Sequence, residues 1–104
     1  MIYTIEKITT LIGARRFGEE NANIGFLLTD SRSLCFPEET LFFALKSGRN
    51  DGHHYIPELY RRGVRNFVVE DVPENMEQVY PKASFLKVIN SLEALQRLAE
   101  RHRD

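Results

Sequence analysis

The chain has a single cysteine, Cys35, among its 104 residues and no tryptophan. One cysteine cannot form an internal disulfide, and secreted domains of this size usually carry an even set. No run approaches the roughly 18 to 20 apolar residues of a membrane span, and the N-terminus carries charge where a signal peptide needs an apolar stretch. We therefore expect a cytoplasmic protein with no membrane partner, in which Cys35 is a buried or half-buried thiol.

An excess of charge of either sign is also missing. Fourteen basic residues face fifteen acidic ones, and the formal net charge is -1. The basic residues are scattered, apart from the short groups at 15–16, 61–62 and 101–103. Nucleic-acid binding requires a concentrated basic surface, so nucleic acid is not an expected partner.

The composition is that of a folded domain, with 42% hydrophobic and 28% charged residues. A chain of this length suits one domain, residues 1–104, and buries enough surface to fold without a disulfide or a metal. The last predicted helix reaches Asp104 without a glycine or proline stop signal. We therefore expect this domain to belong to a longer protein.

Apolar spacing predicts an alternation of strands and helices. Helices are expected over 4–12, 55–62, 73–80 and 91–103, strands over 24–28, 41–45, 66–70 and 84–89, and a connecting loop over 15–23. Thr4 and Ser91 are the predicted N-caps, and Gly13 is the predicted stop of the first helix. The last helix is expected to face inward with Leu92, Leu95, Leu98 and Ala99. The pattern predicts an α/β domain with a small, largely parallel sheet flanked by helices.

The first polar cluster is Thr29-Asp30-Ser31-Arg32, directly after a predicted strand. Ligands of open α/β sheets collect at the carboxyl ends of strands. The cluster is interpreted either as a turn, in which Asp30 and Ser31 cap main-chain N–H groups, or as an anion contact made by hydroxyl and guanidinium donors.

The second polar cluster covers residues 46–54 and follows the strand at 41–45. Gly48 and Gly52 let the main chain pass close to a ligand, although glycine is also common in ordinary turns. The chain has no Walker A loop and no catalytic constellation, so no catalytic residue is predicted. Adjacent His53 and His54 point in different directions without a Cys or acidic partner at ligand spacing, and no metal site is predicted.

Several segments taken together resemble the N-terminal domain of the Mur ligases, the ATP-dependent enzymes that extend the peptide of the peptidoglycan precursor. The segments are Thr29-Asp30-Ser31-Arg32, Pro37, Leu41-Phe42-Phe43-Ala44-Leu45, Asp51-Gly52-His53, Tyr55-Ile56, Gly63-Val64 and Val68-Val69-Glu70. The chain departs from the family pattern at Pro37-Glu38, where most members have Pro-Gly.

The resemblance implies that this domain binds the UDP part of UDP-N-acetylmuramoyl tripeptide. It assigns substrate binding to Thr29, Ser31, Arg32, Gly48, Arg49 and Asn50. Of these, Thr29 and Ser31 match the positions that contact the uridine diphosphate end, and residues 48–50 match the loop over the uracil. Arg32, together with Asp30, is expected mainly to hold its turn.

Within the family, residues 3–8 and 36–46 look like the members that add D-alanyl-D-alanine, including those fused to an alanine racemase. The member that adds the third peptide residue shares most of the same motifs and remains an alternative, as does a non-catalytic interaction module of the same fold. A small independent enzyme is a further alternative. No cofactor is expected in this chain; ATP and magnesium are expected in the parent ligase, whose ATP-binding and C-terminal domains would be this domain's partners.

Overall fold

A computed structural model describes residues 3–18, 21–30, 34–47 and 50–102, with the main chain alone at positions 47, 50, 101 and 102. In chain order the strands are β1 (Tyr3–Thr4), β2 (Arg15–Phe17), β3 (Asn23–Ile24), β4 (Phe26–Leu28), β5 (Thr40–Phe43), β6 (Lys46–Ser47), β7 (Asn50–Asp51), β8 (Asn66–Val69) and β9 (Ser84–Lys87). The helices are α1 (Ile5–Ile12), α2 (Ile56–Arg61), α3 (Met76–Val79) and α4 (Ser91–His102). Short 3-10 turns cover Pro37–Glu39 and Gly52–Tyr55.

The centre of the fold is a five-stranded sheet in the order β2-β9-β8-β5-β4. Strands β4, β5, β8 and β9 run parallel, and β2 pairs antiparallel with β9 at one edge. Every residue of β5 and of β8 is buried, as expected for central strands covered on both faces. The predicted α/β class with a largely parallel sheet is confirmed.

Helices cover the two faces of the sheet with separate apolar clusters. On one face, α1 and α4 pack against the side chains of Leu41, Phe43, Val68 and Leu86. On the other face, α2 packs against Phe42, Phe67, Val69 and Phe85. Alternate residues of each strand point to opposite faces, so the same strands contribute to both clusters. In the described part of the chain, none of the helices has the length and apolar character that a bilayer span requires.

The sequence correctly predicts the residues that begin and end α1. The hydroxyl of Thr4 accepts a hydrogen bond from the Lys7 N–H at 3.2 Å and begins α1. Gly13 ends that helix in the left-handed conformation, with φ 66°. The predicted N-cap and stop of the first helix are therefore confirmed.

The prediction of a loop over 15–23 is wrong, because Arg15–Phe17 forms β2. This strand lies at the edge of the sheet, where one face is exposed to solvent and two arginines are tolerated. The strand predicted over 24–28 is divided at Gly25, since β3 pairs with β1 while β4 pairs with β5. The N–H of Gly25 instead donates to the Glu39 carbonyl at 2.9 Å.

Two burial predictions are also wrong. Leu92 and Ala99 are exposed, and α4 instead buries Ala94 and Leu98, with Leu95 half-buried. The buried face of α4 is therefore shifted by about one residue toward the N-terminus relative to the predicted face. Cys35 is exposed rather than buried, because it lies in the segment that precedes β5 and not in the sheet.

Candidate functional site

The candidate site lies at the carboxyl edge of the sheet, which we define as the segments that directly follow β4, β5, β8 and β9. Thr29 and Asp30 follow β4, the antiparallel hairpin β6–β7 follows β5, and Glu70 and Asp71 follow β8. The segment 88–90 joins β9 to α4. Parallel strands end on the same side of a sheet, so these segments share one edge.

The residues predicted to bind substrate fall on two of these segments. Thr29 is exposed directly after β4, and the main chain of Asn50 lies in β7, paired with Ser47. Because β4 and β5 are neighbouring strands, the two predicted clusters start from adjacent positions of the edge. Ser31, Arg32, Gly48 and Arg49 lie outside the described residues.

Asp51 and Gly52 fold the hairpin back on the end of β5. The Asp51 carboxylate accepts a hydrogen bond from the main-chain N–H of His53 at 2.9 Å. This hydrogen bond is the main reason that the pKa of Asp51 lies below its ordinary value of 3.8. The N–H of Gly52 donates to the Leu45 carbonyl at 2.7 Å. A Cβ atom at position 52 would lie 2.8 Å from the Leu45 nitrogen and 2.9 Å from the Ala44 Cα atom, so the position requires glycine.

The His53 imidazole connects this hairpin to the end of β8. Its Nδ1 atom is 2.6 Å from the Asp51 carboxylate. Its Nε2 atom accepts from the Glu70 N–H at 3.1 Å and faces the Asp71 N–H at 3.4 Å. Both groups at Nε2 are main-chain donors, so Nε2 is the acceptor there, while Nδ1 faces the carboxylate. Both ring nitrogens are thus occupied.

The carboxylates of this edge are held by donors of the protein itself. Glu70 accepts a hydrogen bond from the Ser91 N–H at the start of α4, at 3.0 Å. The Lys46 ammonium lies 2.9 Å from Asp71 and 3.9 Å from Glu70. The Lys46–Asp71 hydrogen bond lowers the pKa of Asp71 and raises the pKa of Lys46. Lys46 and Asp71 therefore stay charged near neutral pH.

The described residues of this edge form a connected network of hydrogen bonds and ion pairs. Within the described residues, no group of three His, Cys, Asp or Glu side chains could hold a metal ion. Both ring nitrogens of His53 face other groups of the protein. The described part of the edge can therefore position neighbouring segments, and it offers the exposed Thr29 to a ligand.

Sequence reasoning quoted Asp51-Gly52-His53 but gave no role to Asp51, His53 or Glu70. An Asp two residues before a His, at the start of a helical turn, is a spacing typical of side-chain capping, and it was the available signal. The contact between His53 and Glu70 joins residues that are distant in the sequence, so no local pattern could have predicted it.

Comparison with known proteins gives one family and one fold. The family model described as "Mur ligase family, catalytic domain" matches residues 23–103. No curated protein matches the chain in sequence.

Three solved structures from Acinetobacter baumannii share the fold at 22% sequence identity, and each covers 99% of this chain. Two of them are crystal structures I and II of MurF, with TM-scores of 0.82 and 0.83 and 21% of each solved chain covered. The third is UDP-N-acetylmuramoylalanyl-D-glutamyl-2,6-diaminopimelate--D-alanyl-D-alanyl ligase, with a TM-score of 0.83 and 22% covered. The chain thus spans about a fifth of the length of these solved proteins.

Proposed function

The chain belongs to the Mur ligase family, and on that premise we propose that it binds the UDP part of UDP-N-acetylmuramoyl tripeptide. It would do so as one domain of a cytoplasmic, ATP-dependent ligase that adds D-alanyl-D-alanine during peptidoglycan precursor synthesis. The name of one structural relative contains both a UDP-N-acetylmuramoyl peptide and the D-alanyl-D-alanyl group, and it supports this choice of the two substrates. The proposal rests on one observation: both predicted polar clusters follow neighbouring parallel strands, β4 and β5, at the carboxyl edge of the sheet.

We assign substrate binding to Thr29, Ser31, Arg32, Gly48, Arg49 and Asn50. Hydroxyl, amide and main-chain N–H groups suit the uracil edge and the pyrophosphate, and arginine suits the phosphate oxygens. In the described part of the edge, Asp51, Glu70 and Asp71 already have donors from the protein. These donors partly compensate the negative charge of the three carboxylates, so the carboxylates repel an anionic ligand less.

Catalysis of the ligation belongs to other parts of the parent ligase. The 104 residues contain no Gly-Lys-Ser/Thr loop for ATP phosphates, and we derive no step through ATP or magnesium from this chain. Binding energy collected at the UDP end can still raise the rate of a distant chemical step by fixing the carboxylate that reacts.

The proposal is tested by titrating this chain with UDP-N-acetylmuramoyl tripeptide while following main-chain amide resonances. We expect shifts at Thr29 and Asp30 and in β7, with α3 unchanged. A parallel titration with UDP-N-acetylmuramoyl dipeptide, the substrate of the alternative ligase that adds the third residue, should shift the same amides, because both precursors carry the UDP part. Shifts absent from both predicted clusters would contradict the proposed site, and binding to neither precursor would favour a non-catalytic module.

Ser31→Ala is the corresponding variant. Removing a hydroxyl that binds phosphate should weaken the affinity about 10-fold, the equivalent of one hydrogen bond, without lowering the melting temperature. Thr10→Ala is a matched control, because it removes a hydroxyl from the exposed side of α1. A lower melting temperature for Ser31→Ala with unchanged affinity would instead assign Ser31 to the turn.

A further inference from the structure

Among the described residues, the side chains of Lys46 and His53 link the β6–β7 hairpin region to the end of β8. Lys46 reaches Asp71 through an ion pair whose side chains are 43% and 77% exposed. Exposed pairs of this kind contribute little to stability. The His53 side chain, in contrast, is only 14% exposed and joins the Asp51 carboxylate to the Glu70 N–H. The imidazole is therefore the main side-chain link between these two segments.

We propose that His53 is a positioning residue for the uridine diphosphate ligand, and that its imidazole fixes the hairpin at the carboxyl edge before the ligand arrives. This inference rests on the proposed function. It goes further because it names a residue outside the predicted contacts that controls affinity through Asp51 and Glu70.

The hairpin needs such a link because it is short. Strands β6 and β7 have two residues each, and an isolated two-stranded hairpin is at best marginally stable in water. When the strands on either side of a binding segment are already held in place, less conformational entropy is lost as the ligand binds. Loss of the link should therefore reduce affinity even though His53 itself is assigned no contact with the ligand.

The two ends of the imidazole can be tested separately by amide substitutions. In His53→Gln, the longer side chain can bring its carbonyl oxygen to the position of Nε2 and still accept from the Glu70 N–H. In His53→Asn, the side chain can donate to Asp51 from the position of Nδ1, but it cannot reach Glu70. Exposed His54 offers a matched control in His54→Gln.

The experiment measures the affinity of each variant of this chain for UDP-N-acetylmuramoyl tripeptide, together with hydrogen exchange of the Glu70 amide without ligand. We expect His53→Asn to weaken binding about 10-fold and to speed Glu70 exchange, because a half-buried N–H loses its acceptor. His53→Gln should stay within about 3-fold of the unsubstituted chain in both measurements. His54→Gln should change neither of them.

The outcomes separate this inference from the proposed function. If the unsubstituted chain binds the precursor and His53→Asn binds equally well, the positioning role is overturned while the proposed function stands. If the unsubstituted chain does not bind, both are overturned. Should His53→Asn fail to fold, strong protection of the Glu70 amide in the unsubstituted chain without ligand would support the role, and rapid exchange of that amide would overturn it.

Discussion

Two glycines of this chain meet different physical demands. Gly13 has φ 66°, and a Cβ atom added there would have the Arg97 guanidinium as its nearest neighbour, at 3.7 Å. Its requirement is conformational, because residues with a Cβ atom rarely adopt left-handed backbone. Gly52 has main-chain atoms within 3 Å of the place where a Cβ would lie. Its requirement is for space against the end of β5.

Substitution by alanine and by asparagine should separate the two demands. At position 13, asparagine tolerates the left-handed conformation, so Gly13→Asn should destabilise the chain less than Gly13→Ala, which should cost about 1 kcal/mol. At position 52, Gly52→Ala should cost about 1 to 3 kcal/mol through overpacking, and Gly52→Asn at least as much. Urea unfolding of the four variants checks both orders, and an advantage for asparagine at position 52 would contradict the steric explanation.

Residue-level prediction succeeded where the cause is local in sequence. Thr4 and Gly13 act on their own helix within three or four residues, and their roles were predicted. The role of His53 depends on Glu70, which follows a different strand. Such partners are set by the topology of the sheet, so the sequence could indicate only that Asp51-Gly52-His53 forms a turn.

At the scale of the element, helix α4 begins with contacts from two other segments. The Asn90 side chain accepts from the Glu93 N–H at 3.0 Å, and Glu70 accepts from the Ser91 N–H. The predicted N-cap, Ser91, is therefore wrong by one residue. The Ser91 hydroxyl is buried and has no hydrogen-bond partner among the described residues.

These contacts predict opposite results for two neighbouring alanine substitutions. Asn90→Ala removes the N-cap and should cost about 1 kcal/mol in the free energy of unfolding. Ser91→Ala removes an unpaired buried hydroxyl and should be neutral or slightly stabilising. Thermal unfolding followed by circular dichroism measures both, and a larger loss from Ser91→Ala would restore Ser91 as the cap.

The elements that sequence reasoning found are those with continuous apolar character. Strands β5, β8 and β9 lie inside the sheet, and their side chains are largely buried, so composition alone indicated them. Strand β2 contains two arginines and one phenylalanine. Its composition does not indicate a strand, and it forms one because it pairs with β9. Edge strands are thus the elements that local patterns miss most easily.

At the scale of the whole molecule, one sheet is shared by two apolar clusters. Leu41 belongs to the cluster under α1 and α4, and Phe67 belongs to the cluster under α2. Both residues are fully buried on adjacent central strands. Neither cluster can lose its strands without exposing the other, so the domain should unfold as a unit.

Truncation in either cluster should therefore destabilise the whole domain. Leu41→Ala should cost about 2 to 5 kcal/mol and Phe67→Ala about 3 to 5 kcal/mol, large fractions of the stability of a small domain. Tyrosine fluorescence and far-ultraviolet circular dichroism should give coincident urea transitions for both variants. Leu92→Ala, at a half-exposed position of α4, is the control and should change stability by about 0.5 kcal/mol or less. Separate transitions for the two probes would contradict the shared-sheet explanation.

The antiparallel pairing of β2 with β9 also affects the order in which this chain can fold during synthesis. Arg15 pairs with Lys87, so β2, the first strand of the five-stranded sheet to be made, has no partner until β9 has been made. Strand β5, in contrast, meets β8 after the shorter connection 44–65, which holds the β6–β7 hairpin and α2. Contacts between distant residues form later because the intervening loop must first close. The sheet should therefore assemble from its centre outward, and β2 should be the last strand to dock as the polypeptide leaves the ribosome.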